Sequence, residues 1–169
     1  MQIDLTKMTR VRGVRDLPRF RKALALALPQ TGLDAAAPGI LRFILVTRPR
    51  IVWLNRLHLG HEGDTDVITY DLRDDLLACL PPEAGEAVAA EIYICPEVAL
   101  RQAPRFSASP SRELFRYAVH GMLHLAGLDD LTPRDRAAMR RAEARVLAAT
   151  ETQIPLDGLL LPPLTVAYV

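Results

Sequence analysis

The sequence predicts an α+β fold in a single domain, a mixed sheet of about four strands packed by helices, with one apolar helix at its centre. Three observations point there. The chain has 169 residues, enough to bury one core and too few for two full domains. β-rich apolar runs at 40–47, 65–72 and 89–95 are separated by stretches with helical spacing, which excludes an all-α or all-β reading. Finally, the run Leu114, Phe115, Ala118, Val119, Met122, Leu123, Leu125 has the apolar density of a helix buried on most of its faces.

In chain order, residues 1–15 are short and basic (Lys7, Arg10, Arg12, Arg15) with alternating apolar positions, and read as an edge strand or a loose arm. Asp16 is placed to cap a helix with Pro18 in its first turn. Leu17, Phe20, Leu24, Ala27 and Leu28 then recur at helical intervals until Pro29 and Gly32 stop them. ILRFILVT at 40–47 reads as a strand, a second helix follows from Pro49 to Leu59, and Gly60 to Gly63 is turn-rich. TDVITYDL at 65–72 alternates as a strand does, residues 73–87 are acidic and Pro-containing and read as a loop, and AAEIYIC at 89–95 is another strand. Pro96 opens a helix that breaks near Pro104. Ser109 is a cap for the apolar helix beginning at Ser111 or Arg112, and Thr132-Pro133 starts a last helix. In that helix Ala137, Ala138, Met139, Ala142, Val146 and Leu147 face inward, while Arg134, Arg136, Arg140, Arg141 and Arg145 fill the rest. From Gln153 the prolines Pro155, Pro162 and Pro163 among leucines exclude a regular helix. The expected organisation is one domain over 1–152 and a Pro-rich extended arm over 153–169.

The chemistry concentrates in HGMLHLAGLDD at 120–130. His120 and His124, four residues apart, leave the same helix face one turn apart. Gly127 stands where a helix ends in a left-handed residue, since only glycine takes positive φ without a Cβ penalty. The chain turns back there, so Asp129 or Asp130 can return a carboxylate to the imidazole pair and complete a three-donor facial set with open positions. Two histidines at this spacing also occur on solvated faces or as hydrogen-bonded core. The apolar helix around them favours donors bonded to something, because burying them unpaired is costly. The zinc-peptidase pattern needs Glu directly after the first His, and Gly121 stands there, which disfavours peptide hydrolysis by that route.

Net charge is +1, so bulk electrostatics gives no strong nucleic-acid signal. Lys7 and Lys22 apart, however, every one of the 21 basic residues is Arg, the side chain that grips phosphates bidentately. Cys79 and Cys95 form no CxxC pair and read as reduced thiols. The N-terminus has no apolar export signal, and no apolar run approaches ~18 residues. The expectation is a soluble, cytoplasmic protein with no membrane partner.

Four pieces in order carry a family resemblance: LNRLHLGHEGDTDVITY at 54–70, EIYICPEVALRQA at 91–103, ELFRYAVHGMLHLAGLDD at 113–130, and Met139 with Glu143 on the last helix. Over residues 40 to 147 the chain resembles the YbeY family, metal-dependent endoribonucleases of ribosomal RNA maturation and quality control. The resemblance implies a small α+β domain whose metal helix lies in the middle. It also implies His120, His124 and Asp130 as metal ligands, Asp130 replacing the family's third His, and a supporting role for Asp129. One zinc ion per chain is expected, and the added carboxylate makes iron or manganese more acceptable than in an all-His site. Leu59 falls where many members carry an arginine serving RNA cleavage. Arg56 one turn earlier, and His58 and His61 nearby, are candidates for that vacant charge, beside the plain reading of a surface Arg and two solvated His; His120 and Arg56 are the catalytic candidates.

Single-stranded RNA, as a ribosomal RNA precursor, is the expected substrate, with small-subunit ribosomal proteins as further partners. Arg48, Arg50 and Arg56 on one side and Arg101, Arg105, Arg112 and Arg116 on the other are candidates for a phosphate-binding groove. Three function classes follow: a metal-dependent ribonuclease, a non-catalytic ribosome-assembly factor whose metal staples the fold, and, less favoured, a metallopeptidase-like hydrolase.

Overall fold

A computed structural model describes residues 1–60, 63–74 and 87–161. Four strands, β1 (Gln2–Lys7), β2 (Ile40–Leu45), β3 (Val67–Asp71) and β4 (Val88–Ile94), form one mixed sheet in the order β1-β2-β4-β3. β1, β2 and β4 run parallel, and β3 runs antiparallel to β4 at the edge. Of the N-terminal stretch, Gln2–Lys7 form the opposite edge strand, while Arg10, Arg12 and Arg15 lie beyond it in a stretch of turn and loop with an isolated bridge at Val14. On one sheet face Asp4, Arg42 and Glu91 fall in register across three strands. Arg42 Nε donates to Asp4 at 2.9 Å and its Nη1 reaches Glu91 at 3.4 Å.

The helices are α1 (Leu17–Ala27), α2 (Arg48–Leu59), α3 (Pro96–Gln102), α4 (Pro110–Leu125) and α5 (Pro133–Glu151). Asp16 caps α1 by accepting from Arg19 N at 3.0 Å, from a left-handed backbone with φ 47°. Asp is among the few side chains that tolerate that region. Ser109 caps α4, which starts one residue earlier than the Ser-rich approach suggests because Pro110 fits the first helical position. Thr132 and Asp135 cap α5 reciprocally, with the Thr132 hydroxyl accepting from Asp135 N at 3.2 Å.

Helix α4 packs against β3, β4, α1, α3 and α5. Leu114, Phe115, Ala118, Val119, Met122 and Leu123 are fully buried, each large side chain contributing about 1.5–3 kcal/mol of transfer free energy. Its closest approach to the sheet is at Gly121, where a Cβ would stand 2.8 Å from both Ile92 Cγ2 and Thr69 Oγ1. Only glycine permits this approach, so the residue after His120 faces the sheet.

Past α5, Ile154, Leu156, Leu159 and Leu160 are buried in the same core, and Leu160 bridges to Val14. Ser111 Oγ donates to the Leu160 carbonyl at 3.1 Å and accepts from Leu160 N at 2.9 Å. The expected loop at 73–87 falls mostly outside the described residues, as do Cys79, His61 and residues 162–169. Cys95 is a buried free thiol, raised above its ordinary pKa by that burial. No helix of the described residues is long and apolar enough to cross a membrane.

Candidate metal centre

Helix α4 ends in the expected glycine turn, with Gly127 at φ 89°. Gly127 N bonds to the His124 carbonyl at 2.9 Å and Leu128 N to the Leu123 carbonyl at 3.0 Å, the paired bonds that satisfy the last carbonyls of a helix. The reversal carries Asp130 back over the last turn. His120, His124 and Asp130 each bring a donor atom within 4.8 Å of the others. His120 Nε2 is 3.0 Å from His124 Nε2 and 3.9 Å from Asp130 Oδ2.

What the two rings do at their other nitrogens decides how these donors point. His120 Nδ1 donates to Glu143 Oε1 at 2.7 Å, and His124 Nδ1 donates to the Leu128 carbonyl at 2.9 Å. A carboxylate and a carbonyl only accept, so each Nδ1 carries the hydrogen, and Nε2 is left as the nitrogen that can offer a lone pair inward. With both Nε2 atoms unprotonated, their lone pairs 3.0 Å apart repel unless a cation, a proton or a metal ion, lies between them. Together with the Asp130 carboxylate, this donor set fits a divalent transition metal.

Glu143, on α5, was absent from the ligand set expected from sequence, although it stood among the residues of the family pattern. It is 5% exposed and also accepts from Arg116 Nη1 at 3.3 Å, while Arg116 Nη2 donates to the buried Glu113 at 2.7 Å. Burial alone would lower Arg116, but the bond to Glu113 and the charges of Glu143 and Glu113 outweigh it and hold the guanidinium raised above its ordinary pKa. Two carboxylates against one arginine and one imidazole make a row that is satisfied at each link. Its sequence signal is a Glu on the inward face of an otherwise apolar stripe, at helical spacing from Met139 and Val146.

The centre lies where two clefts meet. One, of about 350 Å³, is lined by Arg112, Arg116, Arg136, Arg140 and the exposed Phe106, with His120 and Asp130 at its end. The other, of about 510 Å³, runs under β3 along Asp66, Thr69 and Asp71 and reaches His120, His124 and Asp130. The site therefore has an arginine-lined side and an acidic side. Hydrogen bonds from Arg73 hold Asp71 below the usual carboxylate range, and Arg73 Nη2 also ties the Leu125 carbonyl at 2.8 Å.

Of the groove arginines expected from sequence, Arg112 and Arg116 line the cleft at His120. Arg48 and Arg101 meet instead on Asp64, each at 2.7 Å. Those two bonds, Arg48 first, hold Asp64 below the usual carboxylate range. Arg136 and Arg140, read from sequence only as filling the polar side of the last helix, are part of the cleft. Arg56 is exposed on α2 and lines neither cleft that meets at His120. His58 stacks edge-on against Tyr70 at 5.3 Å between ring centroids, and Asp129 caps the next residue, accepting from Asp130 N at 2.7 Å.

A four-stranded mixed sheet over a buried helix that offers two fixed imidazole lone pairs and a carboxylate to an open cleft defines a small α+β protein with a metal-binding centre. The chain belongs to the endoribonuclease YbeY family, whose profile matches residues 8–151, and the resemblance drawn from HGMLHLAGLDD is thereby borne out. The endoribonuclease YbeY of Chlorobium phaeovibrioides is 34% identical over 149 residues, 87% of this chain and 89% of that one. That of Elusimicrobium minutum is 33% identical over 129 residues, 76% of this chain and 84% of that one. A solution structure of a Thermotoga maritima protein shares the fold, with a TM-score of 0.58 at 23% identity over 89% of this chain and 90% of that one.

Proposed function

We propose that this chain is a metal-dependent endoribonuclease that cuts single-stranded RNA, acting in ribosomal RNA maturation and ribosome quality control in the cytoplasm. The observation that carries the reading is the pair of inward Nε2 lone pairs, fixed by Glu143 and Leu128, at the end of an arginine-lined cleft. Family membership supplies the class of reaction, and small-subunit ribosomal proteins are the proposed further partners.

His120, His124 and Asp130 would hold the ion, with zinc first and iron or manganese next. A bound divalent ion there supplies Lewis acidity toward a phosphoryl oxygen and an activated water. The chain's own groups do the rest. Glu143 and the Leu128 carbonyl keep both imidazoles in the tautomer that leaves Nε2 available. Arg136, Arg140 and Arg112 line the cleft as phosphate donors, and Phe106, 65% exposed, offers a ring to an unstacked base. Gly121 faces the sheet, so no side chain directly after His120 serves as a general base. Arg56 is proposed for the charge vacant at Leu59.

The test is metal content by elemental analysis coupled to cleavage of a ribosomal RNA precursor. About one metal per chain and chelator-sensitive, salt-sensitive cleavage are expected. Cleavage that survives both exhaustive chelation and His120→Ala would overturn the reading.

A further inference from the structure

Trp53, the one tryptophan of the chain, lies on α2 and is 48% exposed. The Arg50 guanidinium sits 4.3 Å from its ring centroid. Together with Arg10, Met8 and Thr47 the pair lines a cleft of about 440 Å³ that contains no carboxylate. Among the described residues, neither Arg10 nor Arg50 has a salt-bridge partner. Other arginines, Arg56 and Arg105 among them, are without one too, so what sets this cleft apart is that two such guanidinium groups line it beside an indole.

A surface arginine laid on an aromatic ring is by itself ordinary packing. That explains Arg50 and leaves the rest unexplained. The second unpaired arginine comes from the segment after β1, and the cleft between them is of a size that takes a ligand. Two guanidinium groups beside an indole, with no acid to neutralise them, match a nucleotide, whose base stacks on either plane and whose phosphate takes the charge.

A row of ion pairs leads from beside this cleft toward the candidate metal centre. Arg48, flanked by the cleft residues Thr47 and Pro49, bonds to Asp64, and Asp64 also holds Arg101. Asp64 and Arg101 line a further cleft of about 260 Å³ that shares Phe106, Glu113 and Arg116 with the one at His120.

We propose that the Trp53, Arg50 and Arg10 cleft is a distal subsite for single-stranded RNA. In it a base stacks on the Trp53 and Arg50 pair, and the adjoining phosphate is taken by Arg10 and Arg50. The proposal rests on the endoribonuclease reading and adds that RNA long enough to run past the metal centre gains affinity there.

Because Trp53 is the sole indole, its emission reports occupancy directly. In chelated protein, which leaves RNA uncut, a short and a long fluorescein-labelled oligouridylate are titrated while label anisotropy and Trp53 emission are followed. Both should bind, and the long one should quench Trp53. Trp53→Ala should weaken the long oligomer about tenfold and leave cleavage of the short one by metal-loaded protein unchanged, and Trp53→Phe should recover most of the loss. Arg50→Ala should reduce the salt dependence of long-oligomer binding by about one phosphate contact. Binding of the long oligomer without a change in Trp53 emission, or undiminished by Trp53→Ala, overturns the subsite and leaves the nuclease reading intact. If neither oligomer raises the anisotropy, the RNA reading itself fails and the subsite with it.

Discussion

Glu143 on α5 accepts the Nδ1 hydrogen of His120 on α4 at 2.7 Å, twenty-three residues away in sequence. The bond sets which nitrogen of His120 faces the cleft, so a carboxylate outside the proposed donor set is expected to govern how well the set binds a metal. Glu143→Gln keeps an acceptor oxygen and removes the charge, while Arg116 keeps Glu113. Metal affinity should fall about 10- to 100-fold, read by competition with a chelator of known strength. Unaltered affinity would mean that Glu143 does not orient the ring.

His124→Ala should abolish metal binding while the protein stays folded, because α4 is held by Leu123, Val119, Phe115 and their neighbours, all fully buried. Elemental analysis beside far-UV circular dichroism separates the two effects. Full metal occupancy in the variant would show that His124 is not a ligand.

Asp130 and Asp129 make opposite expectations. Asp130→Ala should bind zinc much more weakly, and Asp130→His should retain it, since an imidazole there is also a competent third donor. Asp129→Ala should leave stoichiometry near one per chain, because its carboxylate only caps the following amide. Loss of the metal in Asp129→Ala with retention in Asp130→Ala would shift the ligand by one residue.

Gly121→Ala pits propensity against packing. Ala is favoured over Gly inside a helix by about 1 kcal/mol. The added Cβ would meet Ile92 Cγ2 and Thr69 Oγ1 at 2.8 Å, and overpacking of this kind costs about 1–3 kcal/mol. The urea midpoint should therefore fall; a rise would mean that α4 and the sheet are not in this contact.

Tyr93 is raised to about 12, first by burial and then by its hydrogen bond to Glu91. A phenol that holds its proton more tightly when folded stabilises the fold fully below its ordinary pKa of 10.0. That contribution is lost as pH rises through the folded value. Denaturant midpoints should thus decline between about pH 10 and 12, and Tyr93→Phe should flatten part of the decline. An unchanged slope in Tyr93→Phe would place the titration on other tyrosines, of which Tyr70 and Tyr117 are also raised by burial.

Much of this was legible because local signals agree with one another. Asp16, Ser109 and Thr132 start helices where their side chains can accept, Gly127 ends one, and the runs at 65–72 and 89–95 mark two strands, whose antiparallel pairing only the structure gives. Long-range partnership was not legible. Nothing local tells that Glu143 meets His120, or that Arg136 and Arg140 turn into the cleft, because α5 reads as an amphipathic helix whichever neighbour it packs on. Gly121 was legible only as a missing base. Its reason, the closeness of Ile92 and Thr69, needs the register between helix and sheet.

The double bond between Ser111 and Leu160 spans 49 residues and has a consequence in time. At 5–20 residues per second of synthesis, the Ser111 hydroxyl waits roughly 2–10 s for its partner to be made. Until then the first turn of α4 lacks this pair of hydrogen bonds. A nascent chain thus carries His120 and His124 before it has the clamp that steadies their helix. The last fastening of α4 therefore closes only when the stretch through Leu160 is free to dock.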